Sequence, residues 1–133
     1  MIPIGADWYA IAMHAVQEVV SHPVVTEVPT GPDDLLGLIN LRGEIVPLFD
    51  TAALLGLGPV GSISCGAVVL TRLGLAAFAA TGDPEAVHLD EPVSPAEAVG
   101  ALGTYAVGTR LATLLDVDAT LASGSVGGRD RTR

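Results

Sequence analysis

The glycine-rich stretch after residue 55 carries a pattern that could bind a nucleotide. Gly56, Gly58 and Gly61 form a literal GxGxxG. A dinucleotide site needs this pattern after a strand and at the start of a helix, so that the pyrophosphate meets the helix N-terminus. Here the pattern follows a helical segment, contains Pro59 and leads into a strand. We therefore predict an ordinary loop over residues 56–64 and no nucleotide cofactor.

The histidine and carboxylate side chains are equally poor candidates for metal binding or acid–base catalysis. His14, His22 and His88 are spread singly, with no second histidine or cysteine at ligand spacing. Glu44 and Asp50 share one strand, but six residues of extended chain separate them by about 20 Å, too far to act on one bond. We expect neither a metal site nor enzymatic activity. A further acidic group lacks the pattern of a calcium loop and is predicted to be solvated surface: Asp83, Glu85, Asp90 and Glu91.

A single arginine stands in the most regular stretch of the chain, residues 37–50 (GLINLRGEIVPLFD). Arg42 and Gly43 separate two apolar runs, which predicts a β-hairpin with the arginine at its tip. The chain has no lysine and six arginines, three of them in its last five residues. An isolated arginine on a rigid hairpin is a candidate for recognising a partner. The alternative is an ordinary hairpin whose Arg42 makes a weak surface ion pair with a nearby carboxylate.

Length, charge and cysteine content restrict the class of protein. The 133 residues suffice for one compact domain. The net charge is −9, and residues 129–133 contribute +2, so the rest of the chain carries −11 and would repel nucleic acid. One cysteine, Cys65, excludes an internal disulfide and is predicted to be a buried thiol, as expected in a reducing cytoplasm. The longest apolar run, residues 73–80, is far too short for membrane insertion.

Short strands separated by glycine and proline predict a small all-β domain, a barrel or a sandwich, with a few short helices. Asp33 or Asp34 is placed to cap a helical turn over Leu35 and Leu36. Three strands are expected before the hairpin: residues 8–13, 16–20 and 23–28. Two later segments carry local signals, a helical turn over residues 94–99 and a disordered tail over residues 123–133.

The two halves of the chain share one order of elements. In the first half, a strand ends at Asp50, and Asp50 or Thr51 can cap a short helix that Gly56 terminates. In the second half, a strand that follows Gly108 is followed by Asp116 and Asp118, either of which can cap a last helical turn. Asp50 and Asp116 are 66 residues apart, about half the chain, so two similar β-subdomains with one core would explain the pattern. The alternative is chance, since this order of elements is common.

The hairpin stretch resembles the motif G-x-x-N-L-R-G-x-I-V-P-[VIL]-x-D of the CheW-like domain family. This family contains the bacterial chemotaxis coupling protein CheW and the regulatory domain of the histidine kinase CheA. Residues 16–19 (VQEV) match the family's upstream V-x-E-[VI] segment at the matching spacing. Residues 104–121 resemble its closing strand and helix more loosely. The resemblance covers about residues 4–122.

The resemblance implies a fold and a function. The fold is all-β, with two intertwined five-stranded SH3-like β-barrel subdomains around a shared hydrophobic core, within one domain over residues 1–122 that divides near residues 56–66. The function is that of a non-catalytic cytoplasmic adaptor between a CheA-type histidine kinase regulatory domain and the cytoplasmic tip of a methyl-accepting chemoreceptor. The alternative is a divergent stand-alone module with another signalling partner, in pilus motility or gene regulation.

The same resemblance assigns residues to these two partners. The receptor would enter a groove between the subdomains, with the hairpin as its inner wall. Its contacts would be four residues: Val16, Glu18, Asn40 and Arg42. Val24 and Val25, on the next strand, would face the kinase.

The chain departs from the family pattern in three places. Its amino end leaves only residues 2–4 for the first strand. The hairpin after Leu70 is expected to be abbreviated, with little strand over residues 71–75. Arg72 and Arg110 stand alone in this half, which predicts reduced charge complementarity to a receptor.

Overall fold

The computed structural model describes residues 1–96 and 100–122 and consists mainly of β-strands. The longest helix in this part of the chain has six residues, and none of its helices is both long and apolar enough to cross a membrane. The nine strands are β1 Ile2–Ile4, β2 Asp7–Ala10, β3 Val16–Ser21, β4 Leu35–Leu41, β5 Glu44–Phe49, β6 Cys65–Thr71, β7 Gly74–Ala80, β8 Ala101–Val107 and β9 Arg110–Leu115. The helices are a 3₁₀ turn, Met13–Ala15, then α1, Thr51–Leu54, and α2, Val117–Ala122.

The strands form two sheets, which confirms the predicted all-β fold with two β-subdomains. One sheet has the order β3-β6-β7-β5-β4 and the other the order β1-β2-β9-β8. The pairs β5/β7 and β2/β9 are parallel and all other pairs are antiparallel. The two amino-terminal strands therefore complete the sheet that the carboxyl-terminal hairpin begins.

A hydrophobic cluster joins the two sheets. Ile2 and Tyr9 of the four-stranded sheet pack with Cys65 and Ala80 of the five-stranded sheet. Cys65 is buried, as predicted. Burial raises the pKa of its thiol, with a smaller contribution from the charge of Asp83. The packed residues come from both ends of the chain, so this cluster joins the two sheets, while each sheet also has an apolar cluster of its own.

The chain after β3 crosses to the far edge of the five-stranded sheet. It bends at His22, whose φ is 46°, and Thr26 then pairs with Leu38 of β4 through backbone hydrogen bonds of 2.8 Å in both directions. Since β3 and β4 are opposite edges of this sheet, the crossing segment links them. The strand predicted over residues 23–28 is thus wrong, because Pro23 has no N–H to donate and a single bridge forms instead of a ladder.

Three further predictions of local structure are corrected. Leu35 and Leu36 begin β4 and are not helical, because Leu35 pairs with Phe49 while Leu36 packs into the core. The strand predicted over residues 8–13 is β2, which ends at Ala10, and the 3₁₀ turn follows. The hairpin after Leu70 is not abbreviated: β6 and β7 have seven residues each and stay paired to Thr71 and Gly74.

The repeat predicted from the two aspartates is present at a constant offset of 66 residues. Both hairpins have a register shift near their start, between Leu35 and Gly37 and between Ala101 and Gly103. The backbone N–H of Asp50 donates to the carbonyl of Asp34, and that of Asp116 to the carbonyl of Gly100, each at 2.8 Å. An isolated bridge flanks each hairpin, Thr26 with Leu38 and Ser94 with Thr104. Leu38 and Thr104 keep the offset of 66 residues, whereas Thr26 and Ser94 are 68 residues apart.

The structure describes only part of the helical turn predicted over residues 94–99 and none of the tail predicted over residues 123–133. Ser94 lies in its bridge with Thr104. Residues 95 and 96 of the predicted helical turn are neither helix nor strand, and residues 97–99 and 123–133, the predicted tail, lie outside the described part of the chain.

The two aspartate caps should differ in their contribution to stability. Asp50 accepts from the Ala53 N–H at 3.1 Å and also from the Val60 N–H at 3.1 and 3.0 Å. Asp116 accepts from the Ala119 N–H at 3.1 Å. We expect Asp50→Ala to lower the free energy of unfolding by about 2 kcal/mol and Asp116→Ala by about 1 kcal/mol. Urea unfolding of the two variants measures both, and equal losses would show that the Val60 contact adds nothing.

Candidate functional site

Arg42 lies at the tip of the β4–β5 hairpin, as predicted. Arg42 and Gly43 have φ values of 51° and 88°, so both turn residues are left-handed, which suits a two-residue hairpin turn. The Asn40 side chain accepts a hydrogen bond from the Gly43 N–H at 2.9 Å. Asn40 therefore fixes the turn that presents the arginine.

The Arg42 guanidinium donates a hydrogen bond to the Glu18 carboxylate on β3. This hydrogen bond, together with the negative charge of Glu18, raises the pKa of Arg42 above its ordinary value. The Arg42 side chain is 75% exposed and the Glu18 side chain 28%. The ion pair joins opposite edges of the five-stranded sheet, so the sheet curves enough to bring them within side-chain reach. Arg42 makes the surface ion pair that one sequence-based interpretation predicted. Its partner, Glu18, is itself a predicted receptor contact, as the other interpretation requires.

A β-bulge in β3 separates Val16 from Glu18. Val16 is opposite Val69 and Glu18 is opposite Val68, so two steps along β3 correspond to one step along β6. The extra residue, Gln17, turns Val16 and Glu18 to opposite faces of the strand. Three of the four predicted receptor contacts therefore lie together at the hairpin tip, and Val16 lies on the other face.

Val16 lines an apolar groove of about 370 Å³ where the two sheets meet. The 3₁₀ turn and β3 supply one side, including Met13 and Val19, whose exposed fractions are 75% and 38%. β1, β2 and β9 supply the floor, and residues 84–89 supply the other side. No residue of the β4–β5 hairpin lines this groove. The expectation that the hairpin forms the inner wall of a groove between the subdomains stays a prediction, since a second groove, of about 520 Å³, is lined by Pro47 and Phe49 of the hairpin and by Leu121 of α2.

The predicted kinase-facing residues are not on a strand. Val24 is 87% exposed in the crossing segment. Val25 turns inward and packs against the cluster that contains Ile39 and Val46. Of the two, Val24 alone offers a large exposed apolar surface.

Sequence reasoning missed a second arginine-centred contact. Arg110 was expected to stand alone, but its guanidinium donates to both Glu85 oxygens, at 2.6 and 3.1 Å, and lies 4.6 Å from the centre of the Trp8 ring. The hydrogen bond from Arg110 lowers the pKa of Glu85. Glu85, expected to be solvated surface, thus anchors residues 84–89. Spacing along the chain gave no signal for this pair, which is brought together by the packing of distant segments.

Arg72 differs from these two arginines. Its backbone N–H donates to Asp118 at 2.9 Å, while its guanidinium has no ion pair within residues 1–96 and 100–122. The same described residues contain no group of three or more histidine, cysteine, aspartate or glutamate side chains that could hold a metal ion.

The family model described as CheW-like domain matches residues 1–125, nearly the whole chain. The chain belongs to the CheW-like domain family. Its fold is also that of a solved CheW-like protein. The crystal structure of scaffolding protein TtCheW from Thermoanaerobacter tengcongensis superimposes with a TM-score of 0.79, covering 90% of this chain and 83% of that one at 22% identity.

Curated members of the CheW-like family are similar in sequence. A probable chemotaxis protein CheW from Rhizobium etli is 30% identical over 70 residues, which are 53% of this chain and 45% of that protein. A chemotaxis protein CheW from Klebsiella aerogenes is 27% identical over 130 residues, 90% of this chain and 78% of its own length. The match thus spans less than half of the Rhizobium etli protein and most of the Klebsiella aerogenes protein. Both relatives are named as chemotaxis proteins.

Proposed function

We propose that this chain is a non-catalytic adaptor that couples a chemoreceptor to a CheA-type histidine kinase in the cytoplasm. The observation that carries the proposal is the apolar groove between the sheets, which leaves Met13 and Val19 exposed next to Glu18 of β3 and its ion-pair partner Arg42. Exposed apolar side chains at a concave site favour docking of an apolar surface from another protein.

The receptor end of the adaptor would be the groove and the neighbouring hairpin tip. The tip of a receptor's helical hairpin can place apolar side chains between Val16 and residues 84–89. Across the bulge, the charged pair Glu18 and Arg42 would meet polar groups of the same hairpin and fix its register by charge-assisted hydrogen bonds. Asn40 supports this contact by holding the turn.

The kinase end would lie on the crossing segment. Val24 is exposed there, and Ile45 on the β4–β5 hairpin is 58% exposed. Two exposed apolar side chains suit a small interface that exchanges readily, with affinity gained by repetition in an array.

The alternative is a CheW-like interaction module with another signalling partner, in pilus motility or gene regulation. One binding experiment separates the two functions. The full chain is mixed with a CheA regulatory domain and, separately, with a soluble fragment of a chemoreceptor tip. We expect binding of both at about tens of micromolar or tighter. If the chain binds neither at that concentration, the coupling function is excluded and the alternative is favoured.

A further inference from the structure

The segment of residues 84–89, which we call the strap, forms one side of the groove although it contains neither strand nor helix. Pro84, Ala86, Val87 and Leu89 of the strap all line the groove. A strand is held in place by a ladder of backbone hydrogen bonds along its length, but the strap has no such ladder. The position of this side of the groove must therefore depend on a few individual contacts.

Those contacts fall at two places. The Glu85 N–H donates to the Met1 carbonyl at 2.8 Å, and the Glu85 carboxylate receives both hydrogen bonds from Arg110. Further along, Val87 and Leu89 pack against the apolar cluster of the four-stranded sheet. Glu85 is thus the point at which polar contacts tie the strap to Met1, the residue before β1, and to β9.

Arg110 is itself held in position. It opens β9 opposite Val107, and its guanidinium lies over the Trp8 ring on β2. A guanidinium that stacks on an aromatic ring and binds both oxygens of a carboxylate has a defined plane and direction. The strap is therefore fixed relative to two strands of the four-stranded sheet. Glu85 lines the groove but Arg110 does not, so the contact is made from outside the site.

We propose that Arg110 is a positioning residue for the groove: by holding Glu85 it fixes the distance between the strap and the opposite wall at Met13 and Val19. A helical hairpin tip entering the groove would meet a wall that is already in place. The inference rests on the proposed function, because it assigns to Arg110 an effect on receptor affinity without contact with the receptor. Arg110 would also hold the strap in the free protein, so this effect can be measured with no partner present.

The first test is amide hydrogen exchange of the full chain. In Arg110→Gln, we expect the amide of Glu85, which donates to the Met1 carbonyl, to exchange about tenfold faster than in the unmodified protein, with β6 and β7 unchanged, because local opening of the strap no longer has to break the paired hydrogen bonds from Arg110. Arg72→Gln is the matched control, since it removes the same charge from an arginine with no ion pair in the described chain. Unchanged exchange of the strap in Arg110→Gln would overturn the proposal.

The second test is the affinity for a soluble chemoreceptor tip fragment. Arg110→Gln should weaken binding about three- to tenfold, Arg110→Lys should lie between, and Arg72→Gln should bind as the unmodified protein does. Faster exchange of the strap with unchanged affinity would overturn the positioning role. If the unmodified chain does not bind the fragment, the proposed receptor function fails, and the exchange experiment alone still decides whether Arg110 holds the strap.

Discussion

Gly37→Ala will destabilise the domain by about 3–5 kcal/mol, the largest loss we expect from a single methyl group in this chain. A Cβ at this position would lie 2.4 Å from the Thr26 carbonyl oxygen and 2.6 Å from Cγ1 of Val25. The φ of Gly37 is also 156°, at the margin of the region that favours glycine. Thr26 cannot retreat, because both of its backbone hydrogen bonds to Leu38 hold the crossing segment against β4. Urea unfolding monitored by circular dichroism measures the effect.

The fold supplies its own control for this substitution. Gly103 is the counterpart of Gly37 at the 66-residue offset and has a φ of 146°, but a Cβ there would meet nothing nearer than Pro92 at 3.4 Å. Gly103→Ala should therefore cost only the backbone strain, about 1–2 kcal/mol. If the two substitutions destabilise equally, the close approach of the crossing segment is not what requires glycine at position 37.

Arg42→Glu will weaken binding of a chemoreceptor tip fragment by about tenfold or more, and Arg42→Ala by less. The glutamate removes the ion pair and places a second carboxylate beside Glu18, which reverses the charge of the hairpin tip. Arg72→Glu makes the same change in charge at the turn of the β6–β7 hairpin and should leave the affinity near that of the unmodified protein. Calorimetric titration with the fragment measures all three variants.

Two outcomes decide what Arg42 does. The double variant Glu18→Arg with Arg42→Glu restores an ion pair with its direction reversed. If it recovers affinity, Arg42 acts by joining the edges of the sheet; if it does not, Arg42 contacts the receptor directly, as the resemblance to the CheW-like family implies. A loss of thermal stability in Arg42→Ala that matches the loss of binding would contradict a recognition role.

The strong local patterns of the sequence predicted much of the fold. The two apolar runs on either side of Arg42 and Gly43 predicted the hairpin, and the aspartate at each strand end predicted the two helix caps. These features succeed because each depends on residues within a few positions of one another. The strand predicted over residues 23–28 was wrong. Its valine-rich composition favours a strand, but the missing N–H of Pro23 and the bend at His22 prevent a ladder of hydrogen bonds.

The candidate site was predicted less completely than the fold, for two physical reasons. A β-bulge depends on the register between two strands, so it cannot be predicted from the sequence of β3 alone. The extra residue, Gln17, which turns Val16 away from Glu18, was therefore missed. The contact between Arg110 and Glu85 depends on how distant segments pack, and both residues looked like ordinary charged surface. The pair Arg42 and Glu18 was identified as a set by the resemblance, but their direct contact was not.

The stacking of Arg110 on Trp8 has a practical consequence for studying this domain. Trp8 is the sole tryptophan of the chain, so the tryptophan fluorescence of the protein comes from the place where Arg110 ties the strap to the sheet. The emission of an indole ring depends on the charge and water around it, and removal of a guanidinium over the ring changes both. The protein thus carries a native optical reporter, and the state of its groove can be followed in solution without attaching a dye.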